Sequence, residues 1–187
     1  MKRTLRNASV FLILLVGAAL SLIACSHLAL PTAVPPVEEF KDLALAGSVL
    51  DVVSVETDNT NFLIYRSARH GNFFGNRKLW CDALVVALSK ELSQRGATIL
   101  PTAATRFKVG LPEISGRSGY ATVGFHAKAV VTSTAGWTKT YEGQTSAAAG
   151  MTLGSLAERA ANYTIAELVK AMFADSAFIS QIKAAKP

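Results

Sequence analysis

Two thiols, three imidazoles and thirteen carboxylates are the groups of this 187-residue chain suited to nucleophilic, acid–base or metal chemistry. Cys81 and His70 would form a thiol–imidazole pair if the fold joined them. The spacing of Cys81 with Leu84, Val85 and Leu88 instead puts it on the apolar face of a helix, where a free thiol packs as a small hydrophobe. His27, His70 and His126 make no H-x-x-x-H, and the cysteines make no C-x-x-C, so no metal ligand set is indicated. His126 is expected on the polar face of a strand. Gly71 to Lys78 sets glycines and a lysine before a helix, as a phosphate loop does. The G-x-x-x-x-G-K-[ST] spacing fails, and Leu79 stands where a hydroxyl would meet magnesium. Sugar cleavage needs two acids facing one cleft. Glu56, Asp58, Glu113 and Glu142 are expected in or near loops and read as scattered, solvated acids. Asn162-Tyr163-Thr164 has the form of a glycosylation sequon but falls inside an expected helix. No catalytic residue, metal or cofactor is indicated.

The other thiol has a different context. Lys2, Arg3 and Arg6 form a positive start, and Val10 to Leu20 is an unbroken apolar or glycine run of 11 residues. A basic start and a short greasy middle describe a secretory signal peptide; a membrane-spanning helix needs about 20 apolar residues. Leu22-Ile23-Ala24-Cys25 then resembles the bacterial lipobox. That resemblance implies that the Cys25 thiol takes a diacylglyceryl group as a thioether, that a signal peptidase recognising Leu22, Ile23 and Ala24 cuts before Cys25, and that the new amino group is acylated with palmitate-like chains. One acyl chain holds a protein only marginally, with about 0.8 kcal/mol per buried methylene, whereas two or three hold it durably. Ser26, in place of the aspartate that retains enterobacterial lipoproteins in the inner membrane, implies export to the outer membrane, facing the periplasm. Residues 1–24 are thus expected to be a leader. Removing it takes three of the 19 basic side chains and lowers the formal charge from +6 to +3. With no arginine-rich helix or base-stacking motif, nucleic acid is not an expected partner. Lipidation of Cys25 leaves Cys81 without a disulfide partner.

Residues 25–46, with Pro31, Pro35 and Pro36, are expected as the lipidated cysteine and a flexible tether, with a short helical turn near Val37–Leu45. Residues 47–187 are expected as one domain. Val49, Val52, Val53 and Val55 suit a strand. Residues 56–75 read as a long loop with a short strand over Phe62–Tyr65. Asn76 caps a helix whose apolar positions are Trp80, Leu84, Leu88 and Leu92, and Gly96 stops it. Ala97–Leu100 begins a strand that Pro101 interrupts. Phe107, Val109 and Leu111 alternate with polar residues as in a half-buried strand, and 110–119 reads as a loop. Residues 121–131 alternate most cleanly, and Ser133–Gly136 turns them into a hairpin partner at Trp137–Glu142. Ser155-Leu156-Ala157-Glu158 has the form of a capping box before an apolar stripe of Ala157, Ala161, Ile165, Leu168 and Met172. Ser176 caps a last helix carrying Phe178, Ile179 and Ile182. The fold class is α+β: a two-layer sandwich, β-α-β-β-β-α, in which two helices cover one face of an antiparallel meander.

One stretch holds a surplus of recognition groups. Phe62, Tyr65, Phe73 and Phe74 stand among Arg66, Arg69, Arg77 and Lys78, and no acid interrupts residues 62–78. Such a mixture suits anionic lipid headgroups, glycans or an envelope protein; the alternative is an aromatic lid folded over the sheet with its cations solvated. Trp137 and Tyr141 likewise either bind or pack.

The lipobox cysteine, Leu84-Val85-Val86-Ala87-Leu88 leading to Gly96, the strand Tyr120–Val131, the hairpin Gly136-Trp137-Thr138-Lys139-Thr140-Tyr141 and the closing Ala171-Met172-Phe173-Ala174-Asp175 resemble the YajG-type family of small bacterial envelope lipoproteins over most of residues 47–183. The resemblance implies location and architecture and no catalytic residues. Two further lipoprotein groups share the order of elements: the lipopolysaccharide-assembly lipoprotein that plugs a barrel, whose Cys-Gly-aromatic start is replaced here by Cys25-Ser26-His27, and the auxiliary lipoprotein of lipid-transport ABC systems. The leading expectation is a membrane-tethered, non-enzymatic binding or assembly module of the cell envelope. A lipid or lipopolysaccharide transport accessory is the second, and an exported hydrolase the third.

Overall fold

The computed structural model describes residues 26–67, 70–120, 122–148 and 152–185. The expected leader, Cys25 and Arg69 lie outside them. Over the described residues the fold is α+β, with two sheets and three α-helices. Strands β1 (Ser26–Leu28), β3 (Asn61–Ser67) and β4 (Gly71–Asn76) make a three-stranded sheet, with β4 in the centre. Strands β2 (Val49–Ser54), β5 (Thr98–Ile99), β6 (Arg106–Ser118), β7 (Thr122–Ser133) and β8 (Thr138–Ala148) make a five-stranded sheet in the order β5-β2-β6-β7-β8. Helices α1 (Arg77–Gln94) and α2 (Leu153–Ala174) pack against the larger sheet and each other, and α3 (Ser176–Ala184) closes the chain.

β6, β7 and β8 form an antiparallel meander, but the sheet is not a meander throughout. β2 pairs in parallel with both β5 and β6. The loop expected over 56–75 is largely the β3–β4 hairpin, with Arg66 opposite Asn72 and Phe62 opposite Gly75. The loop expected over 110–119 is mostly the second half of β6. It pairs with β7 from Glu113 to Ser118, after a register shift between Gly110 and Glu113 that accommodates Pro112. At that irregularity the Glu56 carboxylate accepts from the Leu111 N–H at 2.9 Å, replacing a strand partner. Gly110 and Gly116 act here as clearances: a Cβ would lie 2.9 Å from Val55 Cγ2 at the first and from Tyr65 Cβ at the second.

The helix boundaries follow the side chains that end them. Asn76 caps α1, its Oδ1 accepting from the Leu79 N–H at 3.0 Å. Gly96, at φ +93°, takes the left-handed turn after it. The Ser155 capping box does not form. Thr152, immediately before Leu153, caps α2, accepting from the Ser155 N–H, while Glu158 accepts from Thr32. Asp175, rather than Ser176, caps α3, accepting from the Ala177 N–H at 3.0 Å.

The core lies between the helices and the inner faces of the sheets. Phe125, Ala127, Ala129 and Val131 of β7 meet Ala160, Ala161, Ile165, Leu168 and Val169 of α2. Gly143 lets α2 approach, since a Cβ there would sit 2.7 Å from the Thr164 carbonyl. Trp80 crosses Phe125 edge-on at 5.6 Å. Trp137 and Tyr141 pack: their rings lie 6.0 and 6.1 Å from Phe178, and Tyr141 donates to Asp175 at 2.6 Å.

The segment expected as a flexible tether is bound to the domain. β1 runs parallel to β4, and Ala29, Val37 and Leu45 are buried. Beyond β1 the chain bonds to both long helices. Trp80 Nε1 donates to the Ala29 carbonyl at 2.7 Å, the Ala33 N–H to Asn162 Oδ1 at 2.9 Å and the Val37 N–H to Glu91 at 3.2 Å. Arg95 donates to the carbonyls of Val37 and Phe40, each at 2.8 Å. The prolines shape this strap and keep it extended; the expected turn is a single 3-10 turn at Glu38–Phe40.

Candidate functional site

The two faces of the β3–β4 hairpin divide the aromatic and basic residues of 62–78. Alternation sends Phe73 inward, where it is fully buried between His27 at 5.2 Å and Phe125 at 6.5 Å. Tyr65, opposite Phe73, leans the same way, 6.4 Å between ring centres. At the far end Arg77 lies over the Phe62 ring at 5.5 Å, and Lys78 is paired with Asp82 one helical turn on. Phe62, Tyr65, Phe73, Arg77 and Lys78 are therefore chiefly packing and pairing groups. The lid alternative describes the aromatics better than the binding one. Arg66 and Phe74 alone among the described members remain on the outer face.

That outer face contains two residues the sequence reading did not single out. Leu28, Phe74 and Leu63 are register partners across β1, β4 and β3 and form one apolar row. Leu28 is 49% and Leu63 41% exposed, and Phe74 is half-buried. The neighbouring row is Ser26, Asn72 and Arg66. Leu63 lies in the short strand expected over Phe62–Tyr65, but three consecutive apolar residues, Phe62-Leu63-Ile64, carry no alternation to mark which of them faces out.

A groove of about 500 Å³ lies between the strap and α1, lined by Leu30, Pro31, Val34, Leu79, Val86 and Ala87. Its volume falls within the range of small-molecule sites, which usually add a few converging polar groups. Here the charged groups are Asp82, already held by Lys78, and Lys90 at the rim.

On the outer face of the five-stranded sheet, Glu113, Lys128 and Glu142 stand in register across β6, β7 and β8. Lys128 Nζ is 3.1 Å from Glu113 and 3.7 Å from Glu142, and His126 reaches the same two carboxylates at 3.6 and 3.4 Å. Hydrogen bonding to Glu113 is the main cause that holds the Lys128 ammonium above the ordinary lysine range. Both acids belong to strands, not loops, and a cation occupies the space between them. That arrangement neutralises charge across the three strands.

Cys81 is fully buried, and its thiol donates to the Val109 carbonyl at 3.2 Å. Burial pushes its pKa up to about 11, so the thiol is a poor nucleophile. The His70 ring bonds the Gly119 carbonyl instead. Val109 lies in β6 and Gly119 just past its end at Ser118, ten residues on and roughly 30 Å away at strand rise, so the residues form no pair. Among the described residues no group of three or more His, Cys, Asp or Glu side chains is placed to hold a metal ion. No helix among them is long and apolar enough to cross a membrane.

No family model matches the chain, and no curated protein matches it. Among solved structures it is similar to the crystal structure of protein XCC0632 from Xanthomonas campestris, which carries the family description DUF330. The TM-score is 0.52 at 6% sequence identity, covering 86% of this chain and 99% of that one. At that identity the likeness is one of fold: the arrangement of helices around a curled sheet recurs in that protein.

Proposed function

We propose that this chain is an envelope lipoprotein, anchored through acyl chains on Cys25 and facing the periplasm from the outer membrane, that works as a non-enzymatic binding or assembly module. The observation that carries the reading is Leu22-Ile23-Ala24-Cys25 placed directly after a basic start and a short apolar run. The resemblance to YajG-type lipoproteins supports the same location. A buried, poorly ionised Cys81 and a charge-compensated Glu113–Lys128–Glu142 row are groups that stabilise a fold, which fits a module that binds rather than catalyses.

The apolar groove beside α1 favours a second reading, an accessory of lipid or lipopolysaccharide transport, because its lining suits an acyl chain or an apolar peptide. Crosslinking in cells separates the two. Capture of a barrel protein or an ABC permease favours transport, and capture of peptidoglycan or soluble envelope proteins favours the assembly module. The anchor is tested by Cys25→Ser, expected to leave an unacylated precursor that retains its leader. Normal maturation of that variant on a gel would refute the proposal.

A further inference from the structure

We propose that the outer face of the three-stranded sheet rests on the bilayer surface, with Leu28, Phe74 and Leu63 at the acyl–headgroup boundary and Arg66 on anionic headgroups. The inference rests on lipidation of Cys25. Cys25 immediately precedes Ser26, the first residue of β1, so the attachment point is one residue, about 3.8 Å between Cα atoms, from a paired strand. No spacer remains to lift the domain away, because the residues that would have supplied one are bonded to α1 and α2.

The anchor leaves from the Ser26–Asn72–Arg66 row. The apolar row Leu28–Phe74–Leu63 follows two residues along, about 7 Å at strand rise. Charge agrees with an anionic surface. Residues 61–78 hold no acid. The β6–β7 turn is at the same end, joined by Ser118 Oγ to Ser67 Oγ at 3.0 Å, and brings the exposed Arg117 with it. Asp58 and Asp82 lie beyond the opposite end of the hairpin, past the Asn61–Asn76 pair. An apolar stripe beside basic residues is the composition of an interfacial surface, and each basic group near an anionic leaflet strengthens docking several-fold. A soluble protein partner would account for the apolar row but not for its position beside the anchor.

The test uses the full acylated protein carrying Leu63→Cys labelled with an environment-sensitive fluorophore; Cys81 is buried and does not compete for the label. A label at Thr140→Cys, exposed on β8, is the control. In vesicles of phosphatidylethanolamine and phosphatidylglycerol, the position-63 emission is expected to shift to the blue relative to detergent while the position-140 emission does not. Arg66→Gln is expected to lower the docked-to-undocked ratio about fivefold, and phosphatidylcholine vesicles to lower it similarly. An unshifted label at 63 on protein shown by mass spectrometry to be acylated overturns the proposal and leaves the anchor intact. Protein without acyl chains overturns the anchor itself. A blue shift that appears in detergent and rises with protein concentration assigns the face to a second copy and also overturns it.

Discussion

Residues 29–45 and residues 61–76 both lie outside the five-stranded sheet, and they are held in opposite ways. The strap has no strand partner after Ala29. Its backbone goes chiefly to side chains, Trp80, Glu91 and Arg95 on or at the end of α1 and Asn162 on α2, with the Leu45 N–H on the Arg95 carbonyl at the strap's end. The hairpin satisfies its backbone by pairing and is pinned by one buried ring, Phe73, which leaves its other face open. A segment fixed by long-range side chains has its position set by residues far away in the sequence. A segment fixed by a ladder keeps one face for something else.

The sharpest way to break the contrast is at Arg95. Its guanidinium and the Glu91 carboxylate are 3% and 6% exposed, and together they hold Val37 and Phe40. Arg95→Ala leaves a buried carboxylate unpaired and is expected to cost about 3–5 kcal/mol, read by urea denaturation. Replacing both partners, Glu91→Leu with Arg95→Met, should recover part of that loss; the remainder measures the bonds to the strap, the Val37 N–H on Glu91 and the two carbonyls on Arg95. A fall below about 1 kcal/mol for Arg95→Ala would mean the strap is not locked.

Asn162→Ala removes the acceptor for the Ala33 N–H, a loss of about 1 kcal/mol. It should also raise amide exchange in residues 29–37 while leaving 61–76 unchanged. Equal effects on both segments would erase the distinction between them. The smallest effect is at Glu39, where the hydrogen bond from Lys170 is the main cause of a carboxyl pKa below its ordinary value. A depressed folded pKa gives support that is present above the usual glutamate range and is lost as pH falls through the folded value. Acidification should therefore speed exchange around Glu38–Lys41, salt should do the same, and Lys170→Met should abolish both responses.

The sequence was legible where periodicity and local caps decide structure. The alternation through 121–131, the Asn76 cap, the Gly96 stop and the turn at Gly136 all follow from neighbours within a few residues. It misled where a residue type serves two purposes. Gly110, Pro112 and Gly116 have turn-like composition, yet they sit in β6, where the glycines clear Val55 and Tyr65 and the proline falls at a register shift. It was silent on the strap, because nothing near Pro35-Pro36 indicates that Glu91, Arg95 and Asn162 will supply its partners. The candidate site was half legible: composition found the hairpin, but only strand register separates Arg66 and Phe74, facing out, from Phe73, facing in.

The long separations within the strap also order events in time. Ala33 waits for Asn162, 129 residues later in the chain, and Val37 for Glu91, 54 later. Contacts so distant in sequence close late, after the loops between them have been organised. If the chain is exported and lipidated as proposed, the strap at its start is thus the last part to settle, and processing at Ala24–Cys25 would precede the closing of residues 29–37 onto the two long helices.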